Sequence, residues 1–374
     1  MCISPLPQES LENMKRFKYS YRDDSMLYNK VMSPCLNKVV NYFPRWLAPN
    51  LITLFSLCCN ILAATISYND GGFDFSFKIK RSTCFIIGIF QLLYQLLDNL
   101  DGKQARRTGN STPFGMLMDH GCDVFTNIFT AFNLSKLLLV GNNNYFSFSV
   151  FFGLILGFFM MTYEEYKLGE LYFPIINGTD EGNFFIFLLG VFLSIVGQAP
   201  MSYVVNEKYK ITVGQLLGLG VVLGGLSCVF NLYLHTYQKK GCKESLKNIL
   251  DGIAFYGVVI VPFLFIKFHL DFYIENKWII ICNASALFAR VVIDMDIKIL
   301  TIDTITCNIM FVFSNLAFIL CLFITIEDVL LDILILLFVA QLTELFIFIF
   351  KRAKEITDFL KIRIFCINNP PIKV

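Results

Sequence analysis

Long apolar runs separated by short polar joints recur from residue 51 onward. The uncharged stretches Asn183 to Asn206, Ile211 to Leu234 and Thr304 to Ile326 each exceed the ~20 residues that cross a hydrocarbon core as a helix. The pattern predicts ten spans, at 51–69, 83–100, 120–140, 145–163, 184–205, 211–234, 250–267, 278–297, 304–326 and 329–350. The eighth is interrupted by Arg290, Asp294 and Asp296, which are expected to pair with one another inside the bundle. Ahead of the first span the period changes. Leu36, Val39, Val40 and Phe43 fall at i, i+3, i+4 and i+7, with Asn37, Lys38 and Asn41 opposite. That face, followed by Trp46, predicts an amphipathic helix lying along the membrane interface. Pro44 and Pro49 then break the chain before it turns inward.

Composition agrees with the pattern. Hydrophobic residues are 56% of the chain and charged residues 16%, against about a quarter charged in a soluble domain. The expected fold is an all-α polytopic membrane protein of about ten transmembrane helices, with an N-terminal interfacial helix. No signal-peptide pattern precedes the first span, so insertion is expected to use that span itself. Ten spans put both termini on one side. Of the 31 Lys and Arg, 23 fall on that side and 8 on the other, which places both termini in the cytosol. A net charge of +2 offers no field for nucleic acid, and none is expected as a partner. Most of the twelve cysteines lie in apolar runs without metal-finger spacing, and are read as reduced, apolar side chains.

The chemistry concentrates between Asp98 and Asp123. Asp98, Asp101, Gly102 and Ala105 fall at i, i+3, i+4 and i+7, on one face of the second span. Asp119 and Asp123 are i, i+4 on the next helix, with Gly115 one turn earlier. Thr108 to Pro113 supply a turn between them. An Asp at mid-span disfavours insertion by roughly 2.5–3.5 kcal/mol, so four unpaired and facing lipid would oppose it by about 10 kcal/mol. They are tolerable in a wet, protein-lined cavity that holds cations. Hard carboxylate oxygens suit Mg²⁺, Mn²⁺ or Ca²⁺, and four could hold two ions. Gly102 and Ala105 leave room for a ligand, and Arg106 can grip a phosphate by its fork. Lys103 and Arg107 are read as peripheral. His120 lies one helical turn before Asp123, and either serves as a proton acceptor tuned to cytosolic pH or orients Asp123.

The run from Asp98 to Asp123 resembles the signature of the CDP-alcohol phosphotransferase family, D-x2-D-G-x2-A-R, then G-x3-D-x3-D. Asp98, Asp101, Gly102, Ala105, Arg106, Gly115, Asp119 and Asp123 fill every fixed position. The segment Arg45 to Thr53, and Asp119-His120-Gly121-Cys122-Asp123, look like the eukaryotic choline/ethanolamine phosphotransferase branch, as does the number of spans.

The resemblance implies that Asp98, Asp101 and Asp119 ligate metal and that Asp123 is ligand or base. It implies two Mg²⁺ or Mn²⁺ ions, with Asn50, Gly102, Ala105, Arg106 and Gly115 around the CDP moiety. Expected partners are CDP-choline or CDP-ethanolamine, diacylglycerol and membrane lipids. A homodimer, and an endoplasmic reticulum or Golgi membrane with a cytosolic active site, are implied likewise. Glu165 and Glu181 are candidates for the cationic headgroup, since carboxylates and aromatic rings suit it. The expected division is a cytosolic N-terminus with interfacial helix (1–50), a six-span catalytic core (51–234), a further four-helix membrane region (235–350) and a cytosolic tail (351–374). Two rivals stand beside this reading: a CDP-diacylglycerol-dependent phosphatidyltransferase, for example with inositol, and a cation transporter using the aspartates for transit.

Overall fold

The computed structural model describes residues 4–17, 19–243, 253–303 and 309–367. Helices α1 (Gln8–Arg16) and α2 (Ser33–Val39) precede the first long helix. The bundle then runs α3 (Pro49–Asn69), α4 (Arg81–Thr108), α5 (Pro113–Leu138), α6 (Asn144–Leu168), α7 (Asn183–Val196), α8 (Val213–Lys240), α9 (Ile253–Phe268), α10 (Leu270–Thr301), α11 (Ile309–Leu320) and α12 (Glu327–Leu360). Among the described residues seven helices are long and apolar enough to cross a membrane. The chain is an integral, all-α membrane protein. The other three expected spans correspond to α5, which carries the aspartates, and to the shorter α9 and α11. The starts of the spans expected at 250–267 and 304–326, with Cys307, lie outside the described residues.

Four short strands complete the fold. β1 (Tyr21–Asp23) pairs in parallel with β2 (Leu171–Phe173), in register Tyr21 to Leu171. β3 (Val204–Asn206) and β4 (Ile211–Thr212) form a small antiparallel hairpin. β3 takes the end of the span expected at 184–205, and β4 the start of the one expected at 211–234. The helix stops at Val196 because Gly197 turns to φ +79° and its N–H closes on the Leu193 carbonyl at 2.8 Å. Pro200 follows in a 3-10 turn. An uncharged stretch is therefore not all helix.

The expected interfacial helix also differs. Met32 just ahead of α2, Leu36 within it and Val40 in the 3-10 turn after it are buried against Ile52 of α3 and Leu100 of α4. Val39 and Tyr42 point outward, and Trp46 is exposed. The apolar face is split: the i, i+4, i+8 stripe seals onto the protein and its neighbours are left exposed. Lys103 fixes the attachment by donating to the Ser33 hydroxyl and to Asn37 Oδ1 at 3.0 and 2.9 Å. Gln104 and Arg107 donate to the backbone carbonyls of Pro44, Leu47 and Phe43.

Without a hydrophobic drive between helices in lipid, close backbone approach must do the packing. α4 and α7 cross at Gly88 and Gly190, where a Cβ on Gly190 would stand 2.7 Å from the Cys84 carbonyl oxygen and the Gly88 Cα. α8 packs on α6 by one edge only, and Leu216, Leu219, Leu223, Leu226 and Phe230 form an exposed stripe toward lipid. α10 is the opposite case, with 78% of its apolar window buried. It packs against α5, α6, α9 and α12, and α1 lies against it. Of the last helices α10 and α12 thus lie against α5, which carries Asp119 and Asp123, instead of standing apart from it.

The charges of the eighth span divide by helical geometry. Arg290, Asp294 and Lys298 share one stripe at i, i+4, i+8, with Arg290 to Asp294 at 3.5 Å and Lys298 to Asp294 at 2.9 Å. Arg290 Nε also reaches both carboxylate oxygens of Glu344 on α12, at 3.1 and 3.0 Å. Asp296, two residues past Asp294, faces another way and does not join them. The expected mutual pairing holds for Arg290 and Asp294 alone. The ten cysteines among the described residues are free thiols.

Candidate active site

The α4–α5 turn sets the site. Gly109 takes the left-handed conformation at φ +65° and ends α4, with the Asn110 N–H returning to the Ala105 carbonyl at 2.9 Å. Thr112 then caps α5 by accepting the Gly115 N–H at 2.9 Å, and Pro113 opens the helix. The turn brings the carboxylate faces of the two helices together.

Asp98 on α4 and Asp119 and Asp123 on α5 each present an oxygen, all within 4.8 Å of one another. The hydroxyl of Tyr94, one turn before Asp98, donates to Asp123 Oδ1 at 2.9 Å. Asp98 Oδ1 and Asp119 Oδ1 are buried and receive no hydrogen bond. Buried carboxylate oxygens normally have donors, and three clustered acids repel one another. Orphaned oxygens converging on one point are what a divalent cation satisfies, so the donor set fits Mg²⁺ or Mn²⁺. Asp101 is buried one turn from Asp98 and accepts the Thr53 hydroxyl of α3. It stands beside the triad rather than among its three converging oxygens.

The remaining candidates fall in two groups. Arg106 is exposed, pairs with no carboxylate among the described residues, and lies back over Gly102, where a Cβ would come within 3.4 Å of its guanidinium. Ala105 is half-buried on the same helix. Gly115 faces Asn50, whose side-chain oxygen would be 3.6 Å from an added Cβ. The Asn50 amide donates to the Ile364 carbonyl at 2.8 Å, so the segment after α12 reaches this corner.

On the other side, His120 Nδ1 lies 3.7 Å from Asp296 Oδ1, and the Tyr19 ring meets the imidazole edge-on. Glu165 on α6 is 3% exposed, with one carboxylate oxygen lacking a hydrogen bond, and lies within electrostatic reach of His120. Glu181 has other work. It accepts the Ser25 hydroxyl at 2.8 Å, the Leu27 N–H at 3.1 Å and the Asn177 N–H at 3.0 Å, stitching the N-terminal segment to the loop before α7.

Sequence reasoning did not select Tyr94, Tyr19 or Asp296. Tyr94 carried a usable signal, being i−4 from Asp98. Asp296 stood out only as a charge within a span, because nothing in the sequence says which way α10 turns toward α5.

Residues 46–205 match the family model described as CDP-alcohol phosphatidyltransferase. The uncharacterized CDP-alcohol phosphatidyltransferase class-I family protein 3 of Dictyostelium discoideum is 35% identical over 66% of this chain and 67% of its own. Choline/ethanolaminephosphotransferase 1 of Arabidopsis thaliana is 34% identical over 49% of this chain and 46% of its own. Cholinephosphotransferase 1 of Saccharomyces cerevisiae is 37% identical over 47% and 44%. The chain spans about half the length of these last two relatives. It belongs to the CDP-alcohol phosphatidyltransferase family.

Proposed function

We propose that this protein transfers phosphocholine or phosphoethanolamine from its CDP ester to the free hydroxyl of diacylglycerol, giving phosphatidylcholine or phosphatidylethanolamine and CMP. The observation that carries the reading is the convergence of Asp98, Asp119 and Asp123 on one point of a membrane helix pair, with Arg106, exposed and without a carboxylate partner among the described residues, two turns further along α4 from Asp98. The names of the plant and yeast relatives support the choice of substrates.

In the reaction the diacylglycerol oxygen forms a bond to the phosphorus bearing the alcohol. The bond from that phosphorus to the CMP oxygen breaks, and CMP leaves with the electron pair. The hydroxyl proton passes to Asp123 or His120. Asp98, Asp119 and Asp123, with Asp101 adjoining, would hold the divalent ions, which when bound offset pyrophosphate charge and polarise the bond that breaks. Arg106 would bind phosphate by its two parallel N–H donors. Glu165, buried beside His120, suits the cationic headgroup better than Glu181, whose oxygens are already hydrogen-bonded. The acceptor would enter sideways from the bilayer and the nucleotide from the cytosol, in an endoplasmic reticulum or Golgi membrane.

The test is CMP release by the purified full chain. Diacylglycerol is offered with CDP-choline or CDP-ethanolamine, and CDP-diacylglycerol is offered with inositol. Turnover with a CDP-alcohol that stops with EDTA and returns with Mg²⁺ or Mn²⁺ is expected. Turnover confined to CDP-diacylglycerol with inositol would overturn the substrate assignment. Cation flux in proteoliposomes without CMP release would overturn the transferase.

A further inference from the structure

Asp296 is 1% exposed, and both of its carboxylate oxygens are without a hydrogen-bond donor. The two cations nearest it along its own helix are engaged elsewhere. Arg290 is held by Glu344 and Asp294, and Lys298 by Asp294. Among the described residues the only basic group within 4 Å of Asp296 is His120 of α5, whose Nδ1 is 3.7 Å from Oδ1. A buried carboxylate with no donor is costly unless it is paired with charge. Its retention beside an imidazole at the edge of the carboxylate cluster calls for a role.

We propose that Asp296 is a positioning residue for His120. The carboxylate holds Nδ1 on the α10 side, which leaves Nε2 as the ring nitrogen available to the reacting hydroxyl. A carboxylate placed this way selects the tautomer, keeps the ring from turning and stabilises the imidazolium once the proton has moved. At 3.7 Å the contact is longer than a hydrogen bond, and catalytic contacts are often loose before substrate binds. The Tyr19 ring, edge-on to the imidazole at 6.1 Å between centroids, limits its swing from the other side. The residue comes from the most deeply buried of the candidate spans, so α10 contributes to the site from beyond the helices that carry the motif. This role rests on the proposed function, and specifically on His120 accepting the proton.

The experiment is a double-mutant cycle on the full chain, in detergent with the CDP-alcohol that the wild type turns over and diacylglycerol. Asp296→Ala is expected to lower kcat by about 10- to 100-fold, a part of what a general base contributes, with KM for the CDP-alcohol within about 3-fold of wild type. In a His120→Ala background the same change is expected to cost nothing further. Asp296→Asn keeps the size and one acceptor, is expected to lose less than Ala, and serves if Ala does not fold. Wild-type kcat in both Asp296 variants, or equal fold-losses with and without His120, would overturn the role while leaving the transferase intact. No CMP release by the wild type from any CDP-alcohol would overturn the proposed function and this role with it.

Discussion

Asp119→Asn tests the carboxylate triad without depending on turnover. The three oxygens lie within 4.8 Å of one another, and Asp119 takes part in two of the three pairs. Two unit charges at that separation repel by about 3.5 kcal/mol at an effective dielectric of 20. Neutralising Asp119 therefore removes up to about 7 kcal/mol of repulsion when all three are ionised. Protons shared within the cluster relieve much of this, and the observable is a fraction. One fifth, about 1.4 kcal/mol, is worth about 2 °C in Tm at this chain length. A divalent ion relieves the same repulsion from outside, and at 100 times its Kd stabilises the fold by about 2.7 kcal/mol. The assay is thermal unfolding in detergent at pH 8, with EDTA and then with excess Mg²⁺ or Mn²⁺. Wild type should gain stability with metal. Asp119→Asn should be at least as stable as wild type in EDTA and gain little from metal. A variant less stable in EDTA that keeps the full metal gain would refute the assignment of Asp119 to the cation.

Three other outcomes are expected. Gly190→Ala places a Cβ 2.7 Å from backbone atoms of Cys84 and Gly88, and should destabilise by about 1–3 kcal/mol, read as a lower Tm. Arg290→Ala strands Glu344, which is 8% exposed, and should cost about 3–5 kcal/mol, while the pair Arg290→Met with Glu344→Leu should be milder than either single change. Burial alone would raise the Asp70 carboxyl, but donors from Thr83 and from Lys80, backbone and side chain, outweigh it and hold it below its ordinary value. A depressed carboxyl stabilises the fold above the unfolded-chain value of about 3.9 and loses that contribution as pH falls through the lower folded value. The Tm advantage of wild type over Asp70→Asn should therefore shrink between about pH 5 and pH 3, and an advantage constant with pH would count against the hydrogen-bonded anion.

The helices were legible because a bilayer leaves the backbone few options. Length and lack of charge located where α3, α4, α6 and α8 begin, but not how far α4, α6 and α8 run on through their charged last turns, and missed where an uncharged segment stops being helix, as at Gly197, because that is a matter of backbone conformation and not of hydropathy. The i, i+3, i+4, i+7 spacing put Asp98 and Asp101 on one face, and the i, i+4 spacing did the same for Asp119 and Asp123. It did not distinguish the three oxygens that converge from Asp101, which turns to Thr53. Glu181 looked as available as Glu165 on paper, yet Ser25 and Leu27, more than 150 residues away, decide that it is occupied.

The sequence alone determined that the chain lives in a membrane, which helices bear the acids, and which family motif they compose, because those properties repeat at the local period of a helix. The tertiary structure decided the partners. It set Tyr94 on Asp123, laid α2 against α3 and α4, split Asp296 from Arg290 and turned it toward His120. Those contacts depend on how a helix is rotated and where it crosses its neighbours, which is fixed by the close packing of side chains distant in sequence.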